Sequence, residues 1–156
     1  MNHVTNPTKP DIMARMESES RADTTCAGNN MKLFSYTGYK CNVNGLHSEL
    51  KSMEKITVAM AVTAYDDPLL VTTVMLVFDK VLWFGSSMGQ TLISTTQVLS
   101  HGTQISYDPY DQNRPLGISI HNSDWYIYFN VQQYFSVVET RAPTIDDKMI
   151  SLPSYI

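Results

Sequence analysis

Apolar and small residues alternate from Ile56 to Tyr65. Ile56, Val58, Met60, Val62 and Ala64 mark one face, and Thr57, Ala59, Ala61, Thr63 and Tyr65 the other. Period two is the signature of a strand, and two fairly apolar faces predict one covered on both sides. Asp66-Asp67-Pro68 breaks the pattern, which returns in Leu70–Phe78, L-V-T-T-V-M-L-V-F. Its density of β-branched residues favours strand over helix. The two arms predict a long hairpin with its tip at Asp66, Asp67, Pro68 and Leu69.

The remaining pattern is shorter-ranged. Residues 1–11 are polar, hold Pro7 and Pro10, and read as a flexible arm. Ile12–Glu19 fits an outer strand or a helical turn. Residues 24–31 read as a turn, because Gly28-Asn29-Asn30 tolerates positive φ. Lys32–Cys41 reads as strand, turn, strand around Gly38. Asn42–Gly45 is turn-like, and His47–Lys55 fits a short helix or a loop. Val81–Phe84 predicts a short strand, and Gly85–Gly89 a turn. Gln90–Ser100 predicts a helix that His101-Gly102 ends. Thr103–Tyr107, Leu116–His121, Trp125–Asn130 and Tyr134–Thr140 predict strands, with a polar loop over Asp108–Pro115. The sum is a mainly β domain, closed or partly closed, with a short helix. Its expected organisation is an arm (1–11), a main domain (12–102), a C-terminal β extension (103–141) and a tail (142–156).

Composition narrows the function classes. The 156 residues suit one ordinary domain. Charged residues are 17%, below the usual share of about 25%, so Ser, Thr, Asn, Gln and Tyr must supply much of the surface. Eleven Lys and Arg face 15 acids, and no short window is basic, so nothing advertises a nucleic-acid face. Two Cys, Cys26 and Cys41, do not define a disulfide scaffold and read as reduced thiols, which points to an intracellular, cytoplasmic setting. The first residues lack the apolar core of a secretory signal. The most hydrophobic stretch, Leu69–Phe84, falls short of the roughly 18–20 apolar residues of a membrane helix.

Several constellations carry little. His3, Cys26, Cys41 and His47 match no compact zinc-ligand spacing. Ser20, His47 and Asp66 lack the Gly-x-Ser-x-Gly elbow of a nucleophilic serine. Gly85–Gly89 lacks the Lys and the spacing of a phosphate loop. Trp125–Phe129 has no interleaved Arg or Lys, so it reads as a core strand and not as a base-stacking surface.

One stretch stands apart: Glu19, Ser20, Arg21, Ala22, Asp23, Thr24, continuing into Thr25-Cys26-Ala27-Gly28. It resembles the active-site segment of retroelement aspartic proteases: an acid, a small hydroxyl residue, glycine, alanine, an acid or small residue, then Thr or Ser. More closely, it resembles the protease region of copia-like retrotransposon polyproteins. Tyr36–Cys41, Val62–Pro68, Leu82–Gly85, Gln90–Ser94 and Gln97–Leu99 resemble the segments that follow in that family. Asp108–Asp111, Pro115–Ile118 and Glu139–Thr144 resemble the polyprotein beyond the protease core. The resemblance thus spans roughly residues 19–144.

It implies a retroviral-type aspartic-protease-like fold and peptide-bond hydrolysis by two carboxylates, one from each subunit of a homodimer, that share one proton. Glu19 would be the catalytic acid. Ser20, Arg21, Ala22, Asp23 and Thr24 would support the active-site turn. The Asp66–Leu69 tip could serve as a flap or be an ordinary exposed turn. Substrates would be polyprotein segments, water the sole cosubstrate, with no metal or cofactor and no membrane partner. Two positions depart from the family pattern. Glu19 stands where the family has aspartate, and Arg21 where it has glycine. Both departures raise the alternative of a non-catalytic β-domain relic with a structural or interaction role.

Overall fold

A computed structural model describes residues 15–44, 53–106, 108, 110–120, 123–132 and 135–147. The chain is mainly β, with one short helix. The strands are β1 (Arg15–Glu19), β2 (Cys26–Ala27), β3 (Lys32–Val43), β4 (Met53–Asp67), β5 (Thr72–Trp83), β6 (Thr91–Ser94), β7 (Gln104–Ser106), β8 (Gly117–Ser119), β9 (Tyr126–Tyr128), β10 (Asn130–Gln132) and β11 (Phe135–Glu139). Helix α1 (Thr95–Ser100) follows β6 without a break. Eight strands form one sheet in the order β10-β11-β1-β6-β2-β5-β4-β3, and β7-β8-β9 form a second. No helix among the described residues is long and apolar enough to cross a membrane.

The hairpin of β4 and β5 is the backbone of the large sheet, paired from Val58↔Leu82 to Asp67↔Thr72. Its turn is Pro68–Val71, two residues later than the periodicity alone places it. Asp67 causes the delay: its Oδ1 accepts from the amides of Leu69 (2.8 Å) and Leu70 (3.0 Å), closing the turn locally. Both faces of the hairpin are covered. Ala61, Tyr65, Val74, Leu76 and Phe78 join the main core, while Val62, Ala64 and Met75 form a smaller cluster on the other side. The main core therefore takes the Ala61/Tyr65 face, where small residues let the strand approach closely.

Several expectations change. Ile12–Glu19 does not yield an outer strand. β1 lies inside the sheet, antiparallel to β11 and parallel to β6. Val81–Phe84 is not a separate strand, since β5 runs on to Trp83. Gln90–Ser100 is half strand, β6, and only then helix, because Thr91 and Ile93 are buried between neighbouring strands. His101 caps α1, with Gly102 at φ +76. Residues 24–31 are not simply a turn, for they contain β2, parallel to β5 and antiparallel to β6. Gly28 does not serve a positive φ there. A Cβ on it would stand 2.3 Å from the Gln90 carbonyl oxygen, so close backbone approach requires the glycine. Gly38 does have φ +84, but it bulges β3 without ending it. His47 and its neighbours, and the arm 1–11, lie outside the described residues.

The boundary expected at 102/103 does not separate two structural units. β10 and β11 belong to the same sheet as β1, and Ile118, Ile120, Ile127 and Phe129 share one core with Met16, Ile93 and Phe78. The sheets are not closed. One isolated bridge, Ala64↔Arg141, joins the chain just past β11 to the edge of β4. It takes up that edge where β3 ends its pairing at Lys32↔Val62. Arg141 extends the join with its side chain, which donates to both Asp66 and Asp147.

Candidate functional site

Glu19 is the last residue of β1, level with Ser94, the last residue of the parallel strand β6. Beyond it the chain turns through Ser20–Thr25 and re-enters the sheet as β2. The Glu19 carboxylate folds back on this turn: Oε1 accepts from the Arg21 amide at 2.9 Å. Aspartate makes the same bond to the second residue on, as Asp67 does with the Leu69 amide, so the extra methylene is not what permits it.

The turn is held mainly from residues about 70 positions further on. The Ser94 hydroxyl donates to the Ala22 carbonyl (2.6 Å), and the Ser94 amide donates to Thr25 Oγ1 (3.1 Å). The Thr25 amide donates to Gln97 Oε1 (2.8 Å), and Gln97 Nε2 donates to the Lys80 carbonyl. Ser94-Thr95-Thr96-Gln97 has the form of a capping box at the start of α1. Half of that box is present, with the Gln97 amide donating to Ser94 Oγ at 3.1 Å. The other half is diverted. The Gln97 side chain spans to the 19–25 turn and β5, and Thr25 takes its place at the Ser94 amide. The sequence carries this signal as S-x-x-Q, but nothing local shows that its glutamine reaches across to Thr25.

Of the residues expected to support the turn, Ala22 is held through its carbonyl, and Thr24 accepts a contact from Cys26 Sγ at 3.7 Å. Among the described residues the Ser20 hydroxyl makes no hydrogen bond, and no ion pair joins Arg21 to Asp23. Ser20, Arg21 and Asp23 are exposed. Thr25, fully buried, does the supporting work expected of Ser20. Burial pushes the Cys26 thiol up, and Cys41 adds to the shift, so Cys26 is not an activated nucleophile.

A cavity of about 390 Å³ opens beside the turn, lined by Asp23, Thr24, Cys41, Val58, Lys80, Leu82, Thr96, Gln97 and Ser100. Glu19 is not among its lining residues. No protein-family model matches the chain, no curated protein is significantly similar to it, and no solved structure matches it.

The Asp66–Leu69 tip does not lie at this end of the molecule. Asp66 is bound by Arg141, two residues past Glu139, and Glu139 pairs with Arg15 at the start of β1. At about 3.3 Å per residue, Arg141 and Glu19 are separated along the sheet by roughly 20 Å. The hairpin end that approaches the turn is the other end of β4. There Cys41 and Val58 line the cavity with Asp23 and Thr24, and the β3–β4 ladder continues past them to its last pair, in register at residues 43 and 53. The D-D-P-L signal places the hairpin turn two residues early, and local turn chemistry does not say which end of a sheet a hairpin reaches.

The weaker constellations do not assemble. His3 and His47 lie outside the described residues. Among the described residues no three His, Cys, Asp or Glu side chains come together to hold a metal ion. Trp125–Phe129 contains β9, whose Ile127 is fully buried.

Proposed function

We propose that this chain is a copia-like retroelement aspartic-protease module that becomes a peptide-hydrolysing site only when two copies meet. One observation carries the reading: an acid ends a strand, the next residues turn beside a cavity of about 390 Å³, and a parallel strand with its following helix pins that turn through Ser94 and Gln97. A carboxylate at a strand end on a pinned turn is what paired-acid hydrolysis requires of each half-site. One chain supplies one such acid, so a second copy must bring the other, which favours a symmetric pair. In that pair the ionised carboxylate activates water while the protonated one donates to the scissile carbonyl. The cavity beside Asp23 and Thr24 would receive a side chain of an extended polyprotein segment.

The Glu19–Arg21 bond favours a second reading. A carboxylate committed to its own turn is a structural cap, which suits a non-catalytic relic. A misplacement of about 1 Å costs a paired-acid site roughly a hundredfold. The decisive assay follows cleavage of a peptide spanning a candidate polyprotein junction at about pH 5, within the range where paired carboxylates share a proton. Wild type, Glu19→Asp and Glu19→Ala are compared, with sedimentation to report self-association. Cleavage by wild type, lost in Glu19→Ala, supports the enzyme. Cleavage by Glu19→Asp alone identifies the relic of one. Equal cleavage by wild type and Glu19→Ala removes Glu19 from the chemistry.

A further inference from the structure

On the second sheet the register sets two rows across the strands: Gln104–Ser119–Tyr126, and two residues along, Ser106–Gly117–Tyr128. The alternate row, Ile105–Ile118–Ile127, contributes Ile118 and Ile127 to the core with no exposed surface. The polar face holds a pocket of about 210 Å³, lined by Gln104, Ser106, Ser119 and Tyr126, with Ile105, Pro115 and Arg114 completing it. This pocket is independent of the Glu19 turn and of any reading of it.

We propose that it is a binding site for a small oxyanion, a carboxylate or a phosphate group, with Arg114 as the anchoring cation. Its lining offers one guanidinium, one amide and two serine hydroxyls, and contains no carboxylate. Among the described residues, no side-chain hydrogen bond or ion pair engages Arg114, Gln104, Ser106 or Ser119. Arg15 and Arg141, by contrast, are both bound to protein partners. An Arg fork with flanking hydroxyls suits carboxylate or phosphate oxygens. The net charge of −4 means the protein as a whole does not attract anions, so capture must come from this local arrangement. The volume lies below the roughly 300–1,000 Å³ of pockets for drug-sized ligands, which limits the occupant to one headgroup.

The site is also held in shape. Gly117 lets the Tyr126 ring lie across β8; a Cβ there would stand 2.5 Å from Tyr126 Cε1 and 2.3 Å from the Ile127 carbonyl oxygen. In that position the Tyr126 phenol donates to the Pro115 carbonyl, which fixes the residue after Arg114. Tyr128 packs against Tyr126, with ring centroids 4.9 Å apart. Burial raises the phenol of Tyr126 above its ordinary value.

The test is a ¹⁵N–¹H NMR titration of the full chain with inorganic phosphate and, separately, with acetate, at constant ionic strength against chloride. Saturable shifts confined to the amides of 104–106, 114, 116–119 and 126 are expected from at least one of the two, and which one saturates distinguishes the headgroups. Arg114→Gln should weaken binding at least about tenfold, the loss expected for one charge-assisted bond. Ser119→Ala should weaken it less, and the remaining spectrum should not change in either variant. Arg114→Lys should restore part of the affinity. Shifts that never saturate, or that persist unchanged in Arg114→Gln, overturn the proposal.

Discussion

Asn30 is a buried polar residue whose loss should cost this fold measurably. It is 1% exposed. Its Nδ2 donates to Thr140 Oγ1 (2.7 Å), and its Oδ1 accepts from Thr91 Oγ1 (2.6 Å). Its backbone carbonyl accepts from Thr63 Oγ1 at 2.7 Å. Asn30 therefore joins β6, the chain leaving β11, and β4 at the place where the large sheet approaches closure. Asn30→Ala removes both side-chain bonds, each contributing about 0.5–1.5 kcal/mol net, and leaves two buried threonine hydroxyls short of a partner. The expected loss is about 2–4 kcal/mol. Urea unfolding, followed by tryptophan fluorescence and far-ultraviolet circular dichroism, measures it. A double-mutant cycle with Thr140→Val should return a coupling of about 1 kcal/mol, as for residues in direct contact. A loss below about 0.5 kcal/mol, the range of ordinary surface substitutions, would refute the network as a determinant of stability.

Other outcomes follow from single positions. Val71 sits in the β4–β5 turn at φ +50, a β-branched residue in the left-handed region, and is 92% exposed. Val71→Gly should raise the melting temperature by relieving strain of about 1 kcal/mol, and a decrease would show that the valine makes a contact that matters. Gly28→Ala should destabilise by about 3 kcal/mol or more in chemical unfolding, because the obstructing atoms are backbone carbonyls that cannot rotate away. The Arg141 guanidinium holds the carboxyls of both Asp66 and Asp147 below the usual carboxylate range. Depressed folded values place that stabilisation above the unfolded carboxylate range, near pH 4, and remove it as pH falls toward the folded values. Arg141→Gln should thus lower stability by about 1 kcal/mol at pH 7, after allowance for solvent screening of the half-exposed pair. The gap to wild type should close in melting curves taken at progressively lower pH below 4, whereas a gap of constant size would assign the effect to packing.

How much the sequence discloses depends on how local each cause is. The β4–β5 hairpin was legible because its first arm alternates from Ile56 to Tyr65, Asp66–Pro68 breaks the pattern, and the second arm is dense in β-branched residues. β1 was not, because Arg15-Met16-Glu17-Ser18-Glu19 places a single apolar residue in a buried strand. Glu17 is 6% exposed there, receiving a hydrogen bond from Gln90 Nε2 at 3.2 Å, a partner 73 residues away. The strand at Thr91–Ser94 was hidden by a helical stripe that belongs to the short helix after it. At the candidate site, residue types marked the turn, but not its supports: Ser94 and Gln97 read locally as a helix cap. The same limit hid the orientation of the Asp66–Leu69 hairpin, which Arg141 sets from 75 residues away.

The two-residue strand β2 has a mechanical consequence. Within the large sheet, β6, β1, β11 and β10 lie on one side of it, and β5, β4 and β3 on the other. Among the described residues two backbone links join these halves: Cys26 and Ala27, reinforced by the Leu82 amide on the Thr25 carbonyl and the Phe84 amide on the Ala27 carbonyl, and the Ala64–Arg141 bridge far from them. A force drawing the halves apart would load these two short links before any of the long ladders. The β2 seam lies directly after the Glu19–Thr24 turn, so one of the two places where such a load falls is also the part that sets the geometry of the candidate site.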